Sequence, residues 1–306
     1  MKQEDYQKNM KKIKVGVIGT GNIGTDLVER LLRDTRFEVI ALIGRRASSP
    51  GIERFKGRID NLYTKGINEI DNLISEIDGF FDATSAFDHL NNWEYIRQNG
   101  KWVVDLTPSK IGAQIVPSLI GRVDNFNLSD ENCANYSMVT CGGQSSAPLL
   151  FAMSHFSTNT REIEVSSSIA SKSAGPATRI NIDNYIDSTQ SLIENISDVK
   201  NNKAILVINP VEPPIMMRTT VNVMSSDWDL EKMEVEINNL ISAIKEYVPG
   251  YDLIVKPHLT NQGAISATVK VTGAGYFLPE YAGNLDIINA AAVETAYLHA
   301  AKQGKF

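Results

Sequence analysis

"MVTCGGQ", residues 138–144, places a thiol directly before two glycines near the middle of a 306-residue chain. A cysteine thiolate is a strong nucleophile, and two glycines after it remove Cβ bulk where a substrate and a cofactor would approach. "SSAP" follows, so Ser145 or Ser146 reads as a helix N-cap and Pro148 as part of the first turn. Such a helix start would set its positive end near the sulfur, lower the thiol pKa and offer backbone N–H groups to an oxyanion. The expectation is covalent chemistry at Cys141, at the end of a strand; the plain alternative is an inert buried cysteine. Cys133, in "SDENCANYS", sits in a polar stretch with no comparable setting.

A second chemical signal lies near the N-terminus. "GTGNIG", Gly19 to Gly24, matches GxGxxG at the turn from an apolar strand into a helix. Gly19 permits the tight turn, Gly21 lets a pyrophosphate reach the backbone, and Gly24 lets helix and strand pack closely. After the second strand an NAD-binding chain normally carries an acid for the adenosine ribose. Here the stretch is "ALIGRRASSPG", with Arg45 and Arg46 in that place. Two guanidiniums suit a 2′-phosphate, so the reading leans to NADP over NAD; the alternative is a pair of solvated arginines.

The elements that must hold these residues can be read from periodicity. Ile13 to Ile18 predicts a strand and Ile23, Leu27, Leu31 and Leu32 the apolar face of a helix. "FEVIALIG", "GFFDATSAF" and "KWVVDLTPS" predict further strands, with a helix in "DHLNNWEYIRQNG". Alternation of this kind predicts βαβ units and a parallel sheet. Beyond Gln144 strands and helices mix as in an α+β domain. "REIEVSSSIASKS", "KAILVINPVEPPIMMRTTVNVM" and "AISATVKVTGAGYF" read as strands. "APLLFAMSHF", "NYIDSTQSLIENI", "MEVEINNLISAIKEYV" and the alanine-rich "NLDIINAAAVETAYLHAAK" read as helices. The expected division is a dinucleotide-binding domain over 1–141, completed by the C-terminal helix 284–306, and a catalytic and dimerisation domain over 142–283.

Composition narrows the function classes. The net charge is −6 and charged residues make up 22%, which argues against nucleic acid or an anionic membrane as the main partner. Two cysteines give no disulfide framework. Residues 1–12 read as a charged lead-in without an apolar signal region, and no apolar run is long enough to span a bilayer. The expected compartment is the cytoplasm. His89, His155, His258 and His299 are scattered without metal-ligand spacing, so no metal is expected.

Several motifs together resemble the acylating, CoA-dependent acetaldehyde dehydrogenases that accompany 4-hydroxy-2-oxovalerate-type aldolases. They are "GTGNIGTDL", "DATSA", "DLTPSKIG", "MVTCGGQ", "ASKSAGPATRINID", "NPVEPPIMMR" and "YFLPEYAGNLDI", in this order from about Ile13 to Ala301. The resemblance implies an α/β fold: a Rossmann domain plus an α+β catalytic and dimerisation domain, similar to glyceraldehyde-phosphate and semialdehyde dehydrogenases. It implies that Cys141 carries the acyl group as a thioester, with coenzyme A as co-substrate and NAD(P) as hydride carrier. Thr20, Gly21, Asn22 and Ile23 match the phosphate-binding turn, and Thr84 of "DATSA" is a further cofactor candidate. Ser173, Ala174, Gly175, Pro176, Ala177, Thr178, Arg179, Ile180 and Asn181 match a second cofactor-contacting loop, in which Asn181 also assists the reaction. Asn284 matches an asparagine near the nicotinamide. The implied partners are an aldehyde, an acyl-CoA, a second copy of the chain and an aldolase.

The sequence departs from the family in two places. Arg45–Arg46 replaces the usual acid. "MRTT" stands where the family reads M-R-D-T, so Thr219 occupies the position of a candidate general base. A hydroxyl cannot accept a proton near neutral pH as a carboxylate does, which leaves Thr219 as a pocket or proton-relay residue. The sequence-level reading is a CoA-dependent acylating aldehyde dehydrogenase or acyl-CoA reductase. The alternatives are a phosphorylating semialdehyde-type dehydrogenase and a nucleotide-binding partner subunit of an aldolase.

Overall fold

A computed structural model describes residues 11–305; of the expected lead-in at 1–12, residues 1–10 lie outside the described residues. The chain divides into two units. The first comprises residues 1–115, 127–138 and 292–306; the second comprises 116–126 and 139–291. Against the expected 1–141 with helix 284–306 and 142–283, residues 116–126, 139–141 and 284–291 fall in the second unit. Val116, Leu119 and Phe126 are buried in the apolar cluster of the second.

The first unit is built on a seven-stranded sheet. Its strands are β1 (Ile13–Ile18), β2 (Phe37–Ile43), β3 (Asn61–Tyr63), β4 (Gly79–Asp82), β5 (Trp102–Asp105), β6 (Ala113–Ile115) and β7 (Asn135–Met138). They run in the order β3-β2-β1-β4-β5-β7-β6, and every pairing is parallel. β4 and β5 are buried at every residue, as expected for strands covered on both faces. The order reverses between β1 and β4. A crevice opens at the carboxyl ends of strands at such a switch point, which is where open α/β sheets bind ligands. Helices Asn22–Leu31, Pro50–Phe55 and Ala86–Gln98 follow β1, β2 and β4.

The second unit carries β8 (Ser157–Thr158), β9 (Glu162–Ala170), β10 (Asn202–Asn209), β11 (Met217–Met224), β12 (Asp227–Trp228), β13 (Tyr251–Leu259) and β14 (Ala264–Val271). Five of these form a mixed sheet in the order β10-β9-β11-β14-β13, and β12 pairs with β8. Along β9 buried and half-buried residues alternate, the period-2 pattern read from the sequence. The buried positions join Leu149, Leu150 and Met153 of helix Cys141–His155, Leu192 of helix Ile182–Ser197 and Leu240 of helix Leu230–Lys245 in one core. Strand β13 was not among the predicted elements. Pro257 lies within it, and it tolerates the missing donor because β13 is an edge strand with two register shifts. The last helix, Gly283–Lys302, begins in the second unit and ends in the first.

Candidate active site

The glycines of "GTGNIG" are required by local geometry. Gly19 has φ +110, and a Cβ on it would lie 2.5 Å from the Ala83 carbonyl oxygen. A Cβ on Gly24 would lie 2.1 Å from the Gly19 carbonyl oxygen, so this glycine lets the helix close onto the strand end. Gly21 differs: a Cβ there would meet nothing, because it faces open space at the start of helix Asn22–Leu31.

That space is a cavity of about 540 Å³. Gly19, Thr20 and Gly21 line it together with Gly44, Arg45, Arg46, Ser49, Thr84, Ser85, Asp88 and Asn92. Thr20 Oγ1 lies 2.7 Å from Ser49 Oγ, which ties the glycine turn to the segment after β2. Asn22 is exposed and Ile23 half-buried at the helix start. Both arginines line the cavity, but Arg45 is not free: its Nη1 donates to Asp88 Oδ1 at 2.9 Å. The carboxylate absent after β2 thus arrives from the first turn of the helix after β4. Asp88 is held there by Ser85, whose Oγ accepts from Asp88 N and donates to Asp88 Oδ2.

Thr84 is fixed from below. Its N–H and hydroxyl both donate to Asp82 Oδ1, at 3.0 and 2.5 Å. Asp82 Oδ2 accepts from Asn92 Nδ2 and meets His89 Nδ1 at 2.9 Å; His89 Nε2 lies 3.5 Å from Asp105 Oδ2. Asp82, His89 and Asp105 are all fully buried. Burial opposes the imidazolium, but the Asp82 hydrogen bond and the two carboxylate charges outweigh it and raise the His89 pKa. His89 therefore cross-links the ends of β4 and β5 as a core histidine. Among the described residues no group of three or more His, Cys, Asp or Glu could hold a metal ion.

Cys141 lies in the second unit, and its setting differs from expectation. β7 stops at Met138, and Cys141 opens helix Cys141–His155. The N-cap is Thr140, whose Oγ1 accepts from Gly143 N at 2.9 Å and lies 2.8 Å from Thr189 Oγ1. Ser145, Ser146 and Pro148 are consequently inside the helix, not at its start. The glycines serve close packing: a Cβ on Gly142 would lie 1.9 Å from Tyr185 Oη, and one on Gly143 would lie 2.8 Å from Leu192 Cδ2. The thiol pKa also moves against expectation. Burial pushes it up to about 11, although the Gly142 N–H and the Tyr185 hydroxyl both favour the thiolate. A helix end assists a thiolate only as far as desolvation allows.

Thr219, on β11, is buried in a cluster of hydroxyls, with Oγ1 2.7 Å from Ser145 Oγ and 3.0 Å from Ser167 Oγ. The segment expected to be a second cofactor loop is ordered into a 3-10 turn, Ser171–Ser173, and a short helix, Pro176–Ile180. Ser173 and Ala174 are buried, Gly175 is exposed, and Thr178 is half-buried. Arg179 bonds the carbonyls of Ala174 and Ser171 and the Ser171 hydroxyl, folding the segment on itself, while Ile180 is 81% exposed. Pro176 and Ala177 belong to that short helix. Asn181 precedes helix Ile182–Ser197, and its carbonyl accepts from Tyr185 N. Asn284 is buried; its Nδ2 donates to the Ser173 carbonyl at 3.5 Å and its Oδ1 has no partner. Glu212 lies in an ion pair with Lys172 at 2.7 Å. Sequence reasoning missed Asp88, Tyr185 and Ser167, each brought in by an element distant along the chain.

Comparison with known proteins decides the family. The profile described as prokaryotic acetaldehyde dehydrogenase, dimerisation, matches residues 141–279, and that of the semialdehyde dehydrogenase NAD-binding domain matches residues 14–118. An acetaldehyde dehydrogenase of Spirochaeta aurantia is 43% identical over 286 residues, covering 94% of both chains. One of Pectobacterium atrosepticum is 40% identical over 296 residues, covering 96% of this chain and 98% of its own. The chain belongs to the acetaldehyde dehydrogenase family. As a member it is an oxidoreductase, an aldehyde dehydrogenase with a nicotinamide-nucleotide-binding domain. Among solved structures, the aspartate semialdehyde dehydrogenase of Candida albicans, determined with NADP, shares the fold at a TM-score of 0.65 and 11% identity, covering 95% of this chain and 99% of its own. That of Vibrio cholerae does so at 0.62 and 13%, covering 94% and 98%.

Proposed function

We propose that this family member interconverts an aldehyde and its acyl-CoA through a thioester on Cys141, with NADP favoured over NAD. The observation that carries the reading is the placement of Cys141 as the first residue of a capped helix, with the Gly142 N–H and the Tyr185 hydroxyl acting on its sulfur. In the reductive direction Cys141 Sγ forms a bond to the acyl carbon, the bond from that carbon to the CoA sulfur breaks, and CoA leaves as its thiol with the Cys141 proton. In the oxidative direction the same sulfur adds to the aldehyde carbon. Covalent capture divides one difficult transfer into two easier steps.

The residues present fit a dinucleotide. Gly21 leaves its side of the cavity open, the N-terminal end of helix Asn22–Leu31 is positively polarised, and Arg45 and Arg46 supply cations where a 2′-phosphate would sit. Separately, in the second unit, Asn284 Oδ1 is buried without a partner and suits an amide N–H donor. When bound, the nucleotide supplies or receives the hydride. The open apolar side chains Val207, Ile254, Val255 and Leu259 of β10 and β13, with the dimerisation profile over 141–279, support a homodimer. Both cysteines are free thiols, which suits the cytoplasm. The family resemblance supports an aldolase as a further partner.

The test is a panel of acyl-CoAs with NADPH and NADH, and mass spectrometry of the protein after each acyl-CoA. A stable acyl adduct on Cys141, lost in Cys141→Ala together with turnover, is the expected result. An adduct on Cys133, an active alanine variant, or turnover with phosphate in place of CoA would refute it.

A further inference from the structure

The backbone donors beside Cys141 are already committed. The Gly143 N–H is held by the Thr140 hydroxyl at 2.9 Å and the Gln144 N–H by the Thr140 carbonyl at 2.8 Å. The N–H groups of Cys141 and Gly142 act on the sulfur itself. An acyl group on Sγ brings a carbonyl oxygen that gathers negative charge whenever a nucleophile adds to the carbon, and this oxygen needs a donor of its own.

Tyr185 carries such a donor. Its hydroxyl is enclosed by protein and makes no well-formed hydrogen bond. It presses on the residue after the nucleophile, since a Cβ on Gly142 would lie 1.9 Å from Oη. Its polar neighbours are Cys141 Sγ, Ser167 Oγ and the Gly142 N–H, all close without meeting it at good hydrogen-bonding geometry. Ser167 is itself engaged with Thr219 at 3.0 Å. A buried hydroxyl left without a partner is costly, and it is explained where a ligand atom completes it. Burial also holds the phenol well above its ordinary pKa, so it remains a neutral donor.

We propose that Tyr185 is a catalytic residue that donates a hydrogen bond, and in the hydride step its proton, to the carbonyl oxygen of the acyl group on Cys141. This rests on the reading that Cys141 carries the acyl group. In reduction the acyl carbon takes a hydride from the reduced nucleotide, the C=O π pair moves to oxygen, and the oxygen takes the Tyr185 proton. Collapse breaks the C–S bond and re-forms C=O. The hydroxyl proton returns to Tyr185, and the Cys141 thiolate takes a proton from solvent. One thioester, one reduced nucleotide and one proton give aldehyde, thiol and oxidised nucleotide.

The experiment compares wild type with Tyr185→Phe in two measurements. The first is the rate of Cys141 acylation by acetyl-CoA without nucleotide, read by mass spectrometry. The second is aldehyde release from the preformed acyl-enzyme in a single turnover with NADPH. The variant should still acquire the adduct, more slowly, and its hydride step should fall on the order of 100-fold. Replacing Tyr185 by 3-fluorotyrosine keeps the shape and lowers the phenol pKa, so the high-pH limb of the single-turnover rate should move down. Unchanged rates in the phenylalanine variant, or an unmoved limb with 3-fluorotyrosine, overturn the role of Tyr185 while the Cys141 adduct stands. Absence of any Cys141 adduct in wild type overturns the thioester reading and this inference with it.

Discussion

Asp88 Oδ1 lies 2.9 Å from Arg45 Nη1, and both residues line the nucleotide cavity. The pair puts an acid beside the cation that is expected to select a 2′-phosphate. Arg45 is 71% exposed on its side chain, so the pairing is weak enough to yield to a stronger anion. Asp88→Asn should release Arg45 and raise the preference for NADPH over NADH by up to roughly fivefold. Arg45→Ala combined with Arg46→Ala should reverse the preference. Dissociation constants for the two nucleotides, read by fluorescence, check both outcomes; no change in either variant would remove these arginines from cofactor selection.

Thr219 governs a second prediction. Its hydroxyl stands between Ser145 Oγ and Ser167 Oγ, at 2.7 and 3.0 Å. A carboxylate in its place would face two hydroxyls able to turn and donate, Ser145 by giving up its bond to the Gly142 carbonyl, so Thr219→Asp should fold. General-base assistance is typically worth about 10²–10⁴ in rate. Aldehyde oxidation with CoA should therefore rise selectively near neutral pH, while acyl-CoA reduction changes little. If both directions fall together, Thr219 shapes the pocket and moves no proton.

Stability should show an acid-sensitive component at Glu29. Its buried carboxylate meets Arg58, Arg33 and Arg54 at 2.6–3.0 Å. The Arg58 hydrogen bond leads the causes that lower its pKa from 4.5 to about 2, with burial opposing. A carboxylate lowered on folding stabilises above its unfolded pKa, and that contribution is lost as pH falls from about 4.5 towards 2. Thermal melts of Glu29→Gln should show a lower Tm than wild type at pH 7 and a gap that closes towards pH 3. A gap independent of pH would mean the charge of Glu29 plays no part.

The sequence was most legible where the requirement is local. Gly24 answers to the Gly19 carbonyl and Gly19 to its own positive φ, so GxGxxG locates the turn, although Gly19 also makes room for Ala83 just after β4. The strands of the parallel sheet are short apolar runs and read equally well. The helix start at Cys141 was legible only in part. "TCGGQSSAP" contains three candidate caps, and Thr140 is the one used, in contact with Thr189 on a separate helix. Asp88, His89 and Tyr185 were opaque for the same reason. Each acquires its role from a partner brought in by the fold: Arg45 across the cavity, Asp82 and Asp105 at the ends of β4 and β5, and the Gly142 backbone.

The thiol supplies the last prediction, because two effects on Cys141 oppose each other. The helix start and the Gly142 N–H favour the thiolate, as the sequence led one to expect. Burial acts the other way and is larger, so the resting thiol sits at about 11. At pH 7 the free protein should therefore hold the half-buried Cys141 as a neutral thiol, its proton leaving during attack on the substrate. Alkylation of resting enzyme by iodoacetamide should be slow at pH 7 and climb through pH 9 to 11 without an early plateau, because only the thiolate reacts. Tyr185→Phe removes a hydroxyl that favours the thiolate, so its curve should shift to higher pH. Cys141→Ala, leaving Cys133 alone, supplies the background to subtract. A plateau below pH 8 in the wild type would show that the helix end prevails over burial, and that the enzyme rests as a thiolate.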